Sequence, residues 1–109
     1  MTNRLTSQAM KRSLPDVLYA LSDPVRLQIV RQLATGGEAA CGTFGIRMPK
    51  SSLSHHFKVL RDAGVIATYS EGVRRINTLC REELDAAFPG LLDAVLDAPA
   101  PRARRRAAR

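Results

Sequence analysis

The chain contains no Trp, and aromatic residues account for only 5% of its 109 residues. Because large rings are scarce, the core must be built mainly from Leu, Val, Ile and Ala, which favours packed helices over a large β-sandwich. The length accommodates one small domain and leaves no room for a second, catalytic domain within these residues. The composition therefore predicts a single, mainly α-helical domain.

A long apolar run is also missing. No stretch approaches the roughly 18 apolar residues that a transmembrane helix requires. The N-terminal segment MTNRLTSQAMKRS has no apolar core of the kind found in signal peptides. We therefore expect a cytoplasmic protein without a membrane partner. Only two cysteines, Cys41 and Cys80, are present, and in the cytoplasm both are expected to be reduced thiols.

Signs of catalysis are scarce. The chain has no Gly-rich phosphate-binding loop, and its small size leaves little space for a deep pocket. The enzyme alternative would be a small Cys/His hydrolase that uses Cys41, but the sequence offers no convincing acid/base partner for this thiol. We therefore expect no enzymatic activity and no cofactor.

Positive charge, by contrast, is plentiful and unevenly distributed, with a net charge of +7. Residues 47–81 contain seven basic and two acidic residues, whereas residues 82–101 contain five acidic residues and no basic one. The C-terminal RARRRAAR adds five Arg. A basic block suits a surface that binds a polyanion, because each Lys or Arg that meets a phosphate releases condensed counterions. On charge alone, a solvated surface is the alternative interpretation.

Two helices are indicated in the first third of the chain. A first helix is predicted over residues 13–22, with Leu14, Leu18 and Leu21 spaced for one buried face. Asp23-Pro24 is a stronger start signal, because Asp caps free N–H groups and Pro fits the first helical position. This second helix stops at a Gly-Gly pair. Its apolar residues, spaced for one face, are Val25, Ile29, Val30 and Leu33.

A third and a fourth helix are predicted in the middle of the chain. Between residues 38 and 48 two glycines weaken helix formation, so we expect only a short, irregular third helix. The fourth helix extends from residue 49, a proline, to residue 64, a glycine. Leu53, Phe57 and Leu60 form its inward stripe.

The remaining pattern predicts a hairpin and a broken helix. Residues 65–69 and 75–79 are rich in strand formers and flank the turn signal Glu71-Gly72. Apolar residues between positions 84 and 96 recur on one helical face, but Pro89-Gly90 should break that helix.

The stretch KSSLSHHFKVLRDAGVI in the fourth helix carries the clearest functional signal. If its apolar stripe faces inward, the opposite face presents short polar and cationic side chains. Such a face suits the major groove of B-DNA, where Ser permits close approach and the helix-end N–H groups favour phosphate. The third and fourth helices then form a helix-turn-helix, and the hairpin forms a wing. Predicted contacts are Ser51, Ser54, His55, Lys58 and Arg61 on the helix and Arg74 and Arg75 on the wing.

These elements predict a mainly α-helical, winged helix-turn-helix domain with a small β-hairpin over residues 13–97. The polar, uncapped residues 1–12 are predicted to form a mobile N-terminal arm. Residues 98–109, composed mainly of Pro, Ala and Arg, are predicted to form a disordered tail.

Three stretches resemble, in order and spacing, the ArsR/SmtB family of winged-helix regulators. LSDPVRLQIVRQL resembles the family's signature helix, KSSLSHHFKVLRDAGVI its recognition helix, and EGVRRINTL its wing. The resemblance implies a transcriptional regulator, by family habit a repressor, that binds double-stranded DNA as a homodimer. It also implies that the first and last helices form the dimer interface. The recognition helices would then enter successive major grooves of a palindromic operator, about one helical turn apart.

The resemblance also implies roles for single residues. His56 falls where the family commonly has a histidine beside the core. At position 55 relatives often carry Arg, and His55 would replace a bidentate guanine reader with a weaker, pH-dependent donor. The positions that match DNA contacts in the family are Lys50, Ser51, Ser52, Ser54 and His55.

The metal sites of the family are incomplete in this chain. Where many relatives carry a CVC-type pair, EAACGTF supplies only Cys41, and residues 82–98 contain no His for a site between the paired last helices. His55 and His56 are adjacent on a helix and point about 100° apart, so they cannot chelate one ion from a single helix. We therefore expect no metal ligands.

The sequence leaves the regulatory signal open. A thiol switch would require the Cα atoms of Cys41 and Cys80 to lie within about 7 Å. A co-regulator protein that carries the effector and an organic ligand at the dimer interface are the other candidates, and metal sensing is a weaker one. A different function also remains, that of a non-specific nucleic-acid-binding protein that uses the Arg-rich tail as a polycation.

Overall fold

The computed structural model describes residues 12–99 of the chain. The predicted arm and tail therefore lie outside the described residues, apart from Arg12, Ala98 and Pro99. The elements, in order, are α1 (Leu14–Ala20), α2 (Pro24–Gly36), β1 (Ala39–Ala40), a 3-10 turn (Cys41–Thr43), α3 (Lys50–Asp62), β2 (Ile66–Glu71), β3 (Arg74–Leu79), α4 (Arg81–Ala87) and α5 (Leu91–Asp97).

Helix α2 begins and ends where the local sequence signals predicted. The carboxylate of Asp23 accepts hydrogen bonds from the backbone N–H groups of Val25 and Arg26, at 2.8 and 3.1 Å. Pro24 occupies the first turn, and the helix ends at Gly36. These signals are local, because a cap satisfies the free N–H groups of its own helix.

Helix α3 also has the predicted bounds, and Arg12 packs against its C-terminal end. Phe57 and Leu60 are buried, and Leu53 is half-buried, which confirms the inward stripe. Gly64, after the helix, has a φ of +81°, and a Cβ at this position would lie 2.6 Å from Nε of Arg12. The Arg12 Nε also donates to the Gly64 carbonyl at 2.9 Å, so the N-terminal segment is tied to the end of α3.

The predicted buried face of α1 is partly wrong. Leu21 is buried as expected, but Leu14 and Leu18 are 44% and 46% exposed. Val17 and Ala20 are fully buried instead. The spacing predicted a helix but did not show which of its faces is buried. The face with the smaller side chains packs inward, where α1 contacts α3.

The predicted short, irregular third helix is present only as one turn of 3-10 helix, Cys41–Thr43. The main chain of Ala39 and Ala40 pairs antiparallel with Asn77 and Ile76 of β3, and a single 3-10 turn follows. Gly45, with a φ of +70°, adopts a backbone conformation that a helix does not contain. The segment before α3 is therefore a short strand, one turn and a connecting loop.

The hairpin is confirmed and is slightly longer than predicted. β2 and β3 pair antiparallel from Ile66 opposite Leu79 to Glu71 opposite Arg74. With β1 they form one sheet in the order β1-β3-β2. The hydroxyl of Tyr69 donates to Glu38 at 2.6 Å, which ties the hairpin to the segment after α2.

The predicted break in the last helix is present. α4 ends before Pro89, and α5 starts after Gly90. Arg31 of α2 donates to the carbonyl of Ala98 at 3.0 Å and so caps the C-terminal end of α5. None of the helices described between residues 12 and 99 has the length and apolar character to cross a membrane.

Leu, Ile and Val dominate the core, as the composition predicted. Each Leu or Ile removed from water contributes roughly 1.5–3 kcal/mol before entropic costs. The core joins α2 to α1, α3, the sheet and both C-terminal helices, and so holds α3 and the wing on one side of the domain. Its largest fully buried side chains are Ile29, Leu60, Leu92, Val17, Val30, Val65 and Asn77.

Candidate nucleic-acid interface

The N-terminal end of α3 is open to an anion. Pro49 precedes the helix, and no side chain caps it. The first helical hydrogen bond runs from the N–H of Leu53 to the carbonyl of Pro49 at 3.0 Å. The N–H groups of the preceding turn thus point out of the helix end, where they and the helix dipole favour negative charge such as phosphate.

The outer face of α3 is a polar stripe. Burial of Phe57 and Leu60 fixes the rotation of the helix and turns Ser51, His55 and Lys58 to solvent. Successive members of this set are four and three residues apart, so they share one face. Small side chains lie near the N-terminal end and the longer cation lies further along, an arrangement that permits close approach to base edges.

One acidic residue on this stripe was not singled out from the sequence. The Nζ atom of Lys58 lies 2.7 Å from Oδ2 of Asp62, and both side chains are exposed. Asp62 follows Lys58 by four residues, so the acid continues the same face. The pair reduces the positive charge that the sequence placed here.

A groove separates α3 from the sheet and brings together cations from distant parts of the sequence. Lys50, Arg61 and Arg75 line it beside Ser54, over a floor that includes Leu53, Phe57 and Cys41, and its volume is about 370 Å³. Within residues 12–99, no carboxylate lies within 4.0 Å of a charged atom of these three cations. Their charge therefore remains available to a polyanion.

The two wing arginines occupy different environments. Arg75 lies opposite Ser70 on the strand face that lines the groove, whereas Arg74 lies opposite Glu71 at the end of the hairpin. Both are exposed, and Val73 at the tip is fully exposed. The sequence suggested equivalent roles, but strand alternation separates them.

The two histidines face in different directions. His55 is exposed, whereas His56 is half-buried, and their ring centroids lie 6.0 Å apart. Nδ1 of His56 lies 3.1 Å from Nη1 of Arg26, a buried arginine that was not singled out from the sequence. Arg26 shares the helical face of Ile29, Val30 and Leu33, and this spacing was the available signal. The residues described include no group of three or more His, Cys, Asp or Glu suited to a metal.

The two cysteines are free thiols in different surroundings. Cys41 is half-buried, and its Sγ accepts a hydrogen bond from Nδ2 of Asn77 at 3.2 Å. Cys80 is buried, and burial raises the pKa of its thiol. The charge of Glu83 raises this pKa further, while Arg12 lowers it. A thiol with a raised pKa holds less thiolate, so Cys80 is a poor nucleophile.

Comparisons with known proteins agree with this arrangement. A profile described as a helix-turn-helix domain matches residues 21–69. The chain is 35% identical over 82 residues to YceK of Bacillus subtilis (strain 168), an uncharacterized HTH-type transcriptional regulator, covering 72% of this chain and 82% of YceK. It is 35% identical over 75 residues to the arsenical resistance operon repressor of Staphylococcus xylosus, covering 68% of this chain and 72% of the repressor.

Solved structures are similar as well. The crystal structure of an ArsR family transcriptional regulator superposes with a TM-score of 0.60 at 26% identity, covering 74% of this chain and 84% of that one. The chain belongs to the ArsR family. A second ArsR-like neighbour, a possible transcriptional regulator for arsenical resistance, has a TM-score of 0.58 at 28% identity, covering 72% of this chain and 82% of that one.

Membership in the ArsR family confirms the resemblance stated from the sequence and the winged helix-turn-helix fold. The chain is a DNA-binding transcriptional regulator, and the family is not one of enzymes. DNA is therefore a partner of this ArsR-family chain.

Proposed function

We propose that this ArsR-family regulator is a repressor that binds a palindromic operator as a homodimer. The observation that carries the proposal is the surface of α3 and the adjoining groove. There, an uncapped helix end and a polar stripe lie beside Lys50, Arg61 and Arg75, three cations that have no carboxylate partner among residues 12–99. Phosphate neutralisation supplies affinity, and the stripe supplies sequence discrimination.

In this proposal, α3 lies in the major groove with its N-terminal end foremost. Ser51 and His55 contact base edges, while the cations of the groove contact the DNA backbone. Arg74 approaches the backbone or the minor groove from the wing tip. The full set of proposed DNA contacts is Lys50, Ser51, Ser52, Ser54, His55, Lys58, Arg61, Arg74 and Arg75.

The homodimer is supported by the exposed side of α1. Leu14 and Leu18 lie about half exposed on this helix, where they can be buried only by another chain or segment. We propose that α1 and α5 form the interface, as in the family pattern. A two-fold dimer then places its two α3 helices about 34–36 Å apart, one turn of DNA.

The proposed signal is a co-regulator protein or an organic ligand. A thiol switch is disfavoured because burial raises the pKa of Cys80. A co-regulator would contact the acidic segment around Glu82 and Glu83, which are exposed on α4. Asp93 of this segment already pairs with Arg81, which directly precedes the segment, at 3.0 Å.

Selection from random duplexes tests the proposal and identifies the operator sequence in the same experiment. The selected duplex and its scrambled version are then compared by fluorescence anisotropy at fixed salt, with the oligomeric state measured in parallel. A palindromic site that binds at least about a thousandfold more tightly than the scramble is expected. Failure to enrich any sequence would overturn sequence-specific binding.

Three variants sharpen this test. Arg61→Gln should weaken binding to the selected duplex, whereas Arg81→Gln, with the same change in charge but on α4, should not. Removal of residues 102–109 should lower affinity mainly at low salt and leave the site preference intact. Loss of nearly all binding on this deletion would instead support the non-specific polycation alternative.

A further inference from the structure

Arg26 is a cation inside the domain, with its side chain joined to two other helices. Only 5% of the residue is exposed. Nε donates to the carbonyl of Ala20 at 2.8 Å and Nη2 to that of Tyr19 at 3.1 Å, so the guanidinium caps the end of α1. Nη1 lies 3.1 Å from Nδ1 of His56 on α3. One planar group thus links α1, α2 and the recognition helix.

No carboxylate neutralises this guanidinium within residues 12–99. Asp23 lies close, but it accepts from the backbone N–H of Arg26 and not from its side chain. The other neighbour is the ring of Tyr19, whose centroid lies 5.1 Å from the guanidinium carbon. Carbonyls, a ring face and an imidazole nitrogen therefore surround the charge, and each is suited to a cation.

Arg26 selects one form of His56. Arginine has only donors, so Nδ1 of His56 must be an acceptor, and the proton of the neutral ring must sit on Nε2. Protonation of Nδ1 would remove the acceptor and place two cations 3.1 Å apart. Oδ2 of Asp23 lies 3.8 Å from the same nitrogen and offers the protonated ring another partner.

The charged and titratable groups around His56 are few. Asp23 and Arg26 face it from the start of α2, and Tyr19 lies behind Arg26 on α1. On α3, His55 lies 6.0 Å away between ring centroids but points to solvent. Nδ1 of His56 thus lies between one cation and one carboxylate.

We infer that Arg26 and His56 form a positioning pair, in which buried Arg26 holds neutral His56 and so sets the orientation of α3 for DNA. This inference rests on the proposed function. Neither residue contacts DNA, but His56 directly follows the proposed base reader His55. Acidification turns His56 from Arg26 towards Asp23, and the recognition helix loses its link to α1.

The test measures affinity for the selected duplex between about pH 7.5 and pH 5.5, the range in which histidine commonly changes charge. Because His55 is itself a histidine and a proposed DNA contact, the reference protein carries His55→Asn, which removes its contribution to any pH dependence. Its affinity should fall on acidification by at least about fivefold, the lower range of typical coupling between sites. The double variant His55→Asn/His56→Asn retains a side-chain acceptor near the position of Nδ1 but cannot titrate. It should bind like the reference at the higher pH and lose the acid-dependent fall.

Arg26→Lys retains the charge but cannot contact three acceptors in one plane. It should weaken binding at the higher pH, with the fold checked by circular dichroism. If this variant does not fold, the two asparagine variants still decide the question. Side-chain ¹⁵N NMR of the free protein should show His56 protonated on Nε2 at the higher pH.

The outcomes separate the inference from the proposed function. If the wild-type protein shows no preference for the selected duplex over its scramble, the proposed function fails. If it is specific, a flat pH profile in the reference, or an unchanged fall in the double variant, overturns the positioning pair. An NMR signal for the Nδ1-protonated neutral tautomer would overturn it without any DNA measurement.

Discussion

The ammonium group of Lys58 lies 2.7 Å from a carboxylate oxygen of Asp62, one turn further along α3. Both side chains are more than 60% exposed, so the pair adds little to stability. Its effect is electrostatic, because it places a negative charge on the face proposed to meet DNA. The Asp62 carboxylate repels a phosphate that approaches Lys58.

Asp62→Asn should therefore strengthen DNA binding. Breaking a weak surface pair costs little, while one cation becomes available, so we expect a gain of about twofold to fivefold in affinity. Fluorescence anisotropy with the selected duplex measures it. Glu82→Gln is the matched control, because it changes the net charge equally at an exposed position on α4, outside the proposed DNA face and the proposed dimer helices. Equal gains in both variants would show that only net charge matters.

Arg75→Gln should weaken binding more than Arg74→Gln. Arg75 lines the groove beside α3, whereas Arg74 lies opposite Glu71 at the hairpin end. If Arg75 meets one phosphate, its loss lowers the slope of log affinity against log salt by about 0.9. Salt titrations of both variants give this slope. Identical slopes in the two variants would contradict the distinction between the strand faces.

His55→Arg should raise affinity and shift the preferred base at one position towards guanine. Arginine makes a bidentate contact with guanine, and such a pair discriminates by about 1–3 kcal/mol against other bases. His55→Ala should relax preference at that same position. Repeated selection with each variant gives the preference base by base. A change spread evenly over the whole site would argue against a direct contact by this residue.

Asp23→Ala should destabilise the domain by about 1 kcal/mol, because the first turn of α2 loses its cap. Asp23→Asn should remain close to wild type, since the amide oxygen accepts the same hydrogen bonds from Val25 and Arg26. Urea unfolding near pH 7.5 measures both free energies of unfolding. Equal losses in the two variants would mean that the charge of Asp23, and not its capping role, stabilises the fold.

Cys41 should react with iodoacetamide faster than Cys80. Burial and the charge of Glu83 raise the pKa of the Cys80 thiol above its ordinary value of 9.0. Because the folded state favours the neutral thiol, its contribution to stability is complete at lower pH. It is lost as pH rises through the folded-state pKa. Peptide mapping by mass spectrometry gives both alkylation rates, and equal rates in the native protein would contradict the prediction.

The alkaline part of this prediction has its own measurement. The free energy of unfolding should decline as pH rises above about 9, and Cys80→Ala should lack the part of this decline that comes from thiol ionisation. Cys41→Ala serves as the control and should retain the decline.

Local signals predicted much of the fold from the residues alone. Asp23-Pro24 opens α2, Gly64 follows α3, and the Glu71-Gly72 signal lies at the hairpin turn. Each signal acts through backbone groups within a few residues of itself, so no distant contact is needed to interpret it. The buried stripe of α3 could also be predicted from the sequence, because burial follows the helical period.

Long-range contacts decided the rest. Ala39 and Ala40 became a strand because their backbone groups pair with β3, about 37 residues away. The rotation of α1 depends on which of its faces packs against α3. The spacing of apolar residues in the sequence does not determine that face. Arg75 lines the groove and Arg74 does not. Successive residues of a strand point to opposite faces, and only the position of the hairpin beside α3 decides which face lines the groove.

By itself, the sequence determined the boundaries of α2 and α3, the polar stripe of α3 and a wing rich in arginine. Local capping and periodic burial require only neighbouring residues, and the charge pattern belongs to the chain in any conformation. Only the tertiary structure decided that Arg26 meets His56, 30 residues away, and that Lys50, Arg61 and Arg75 share one groove. The physical reason is that packing of the common core brings these side chains together, and no spacing along the chain encodes their distances.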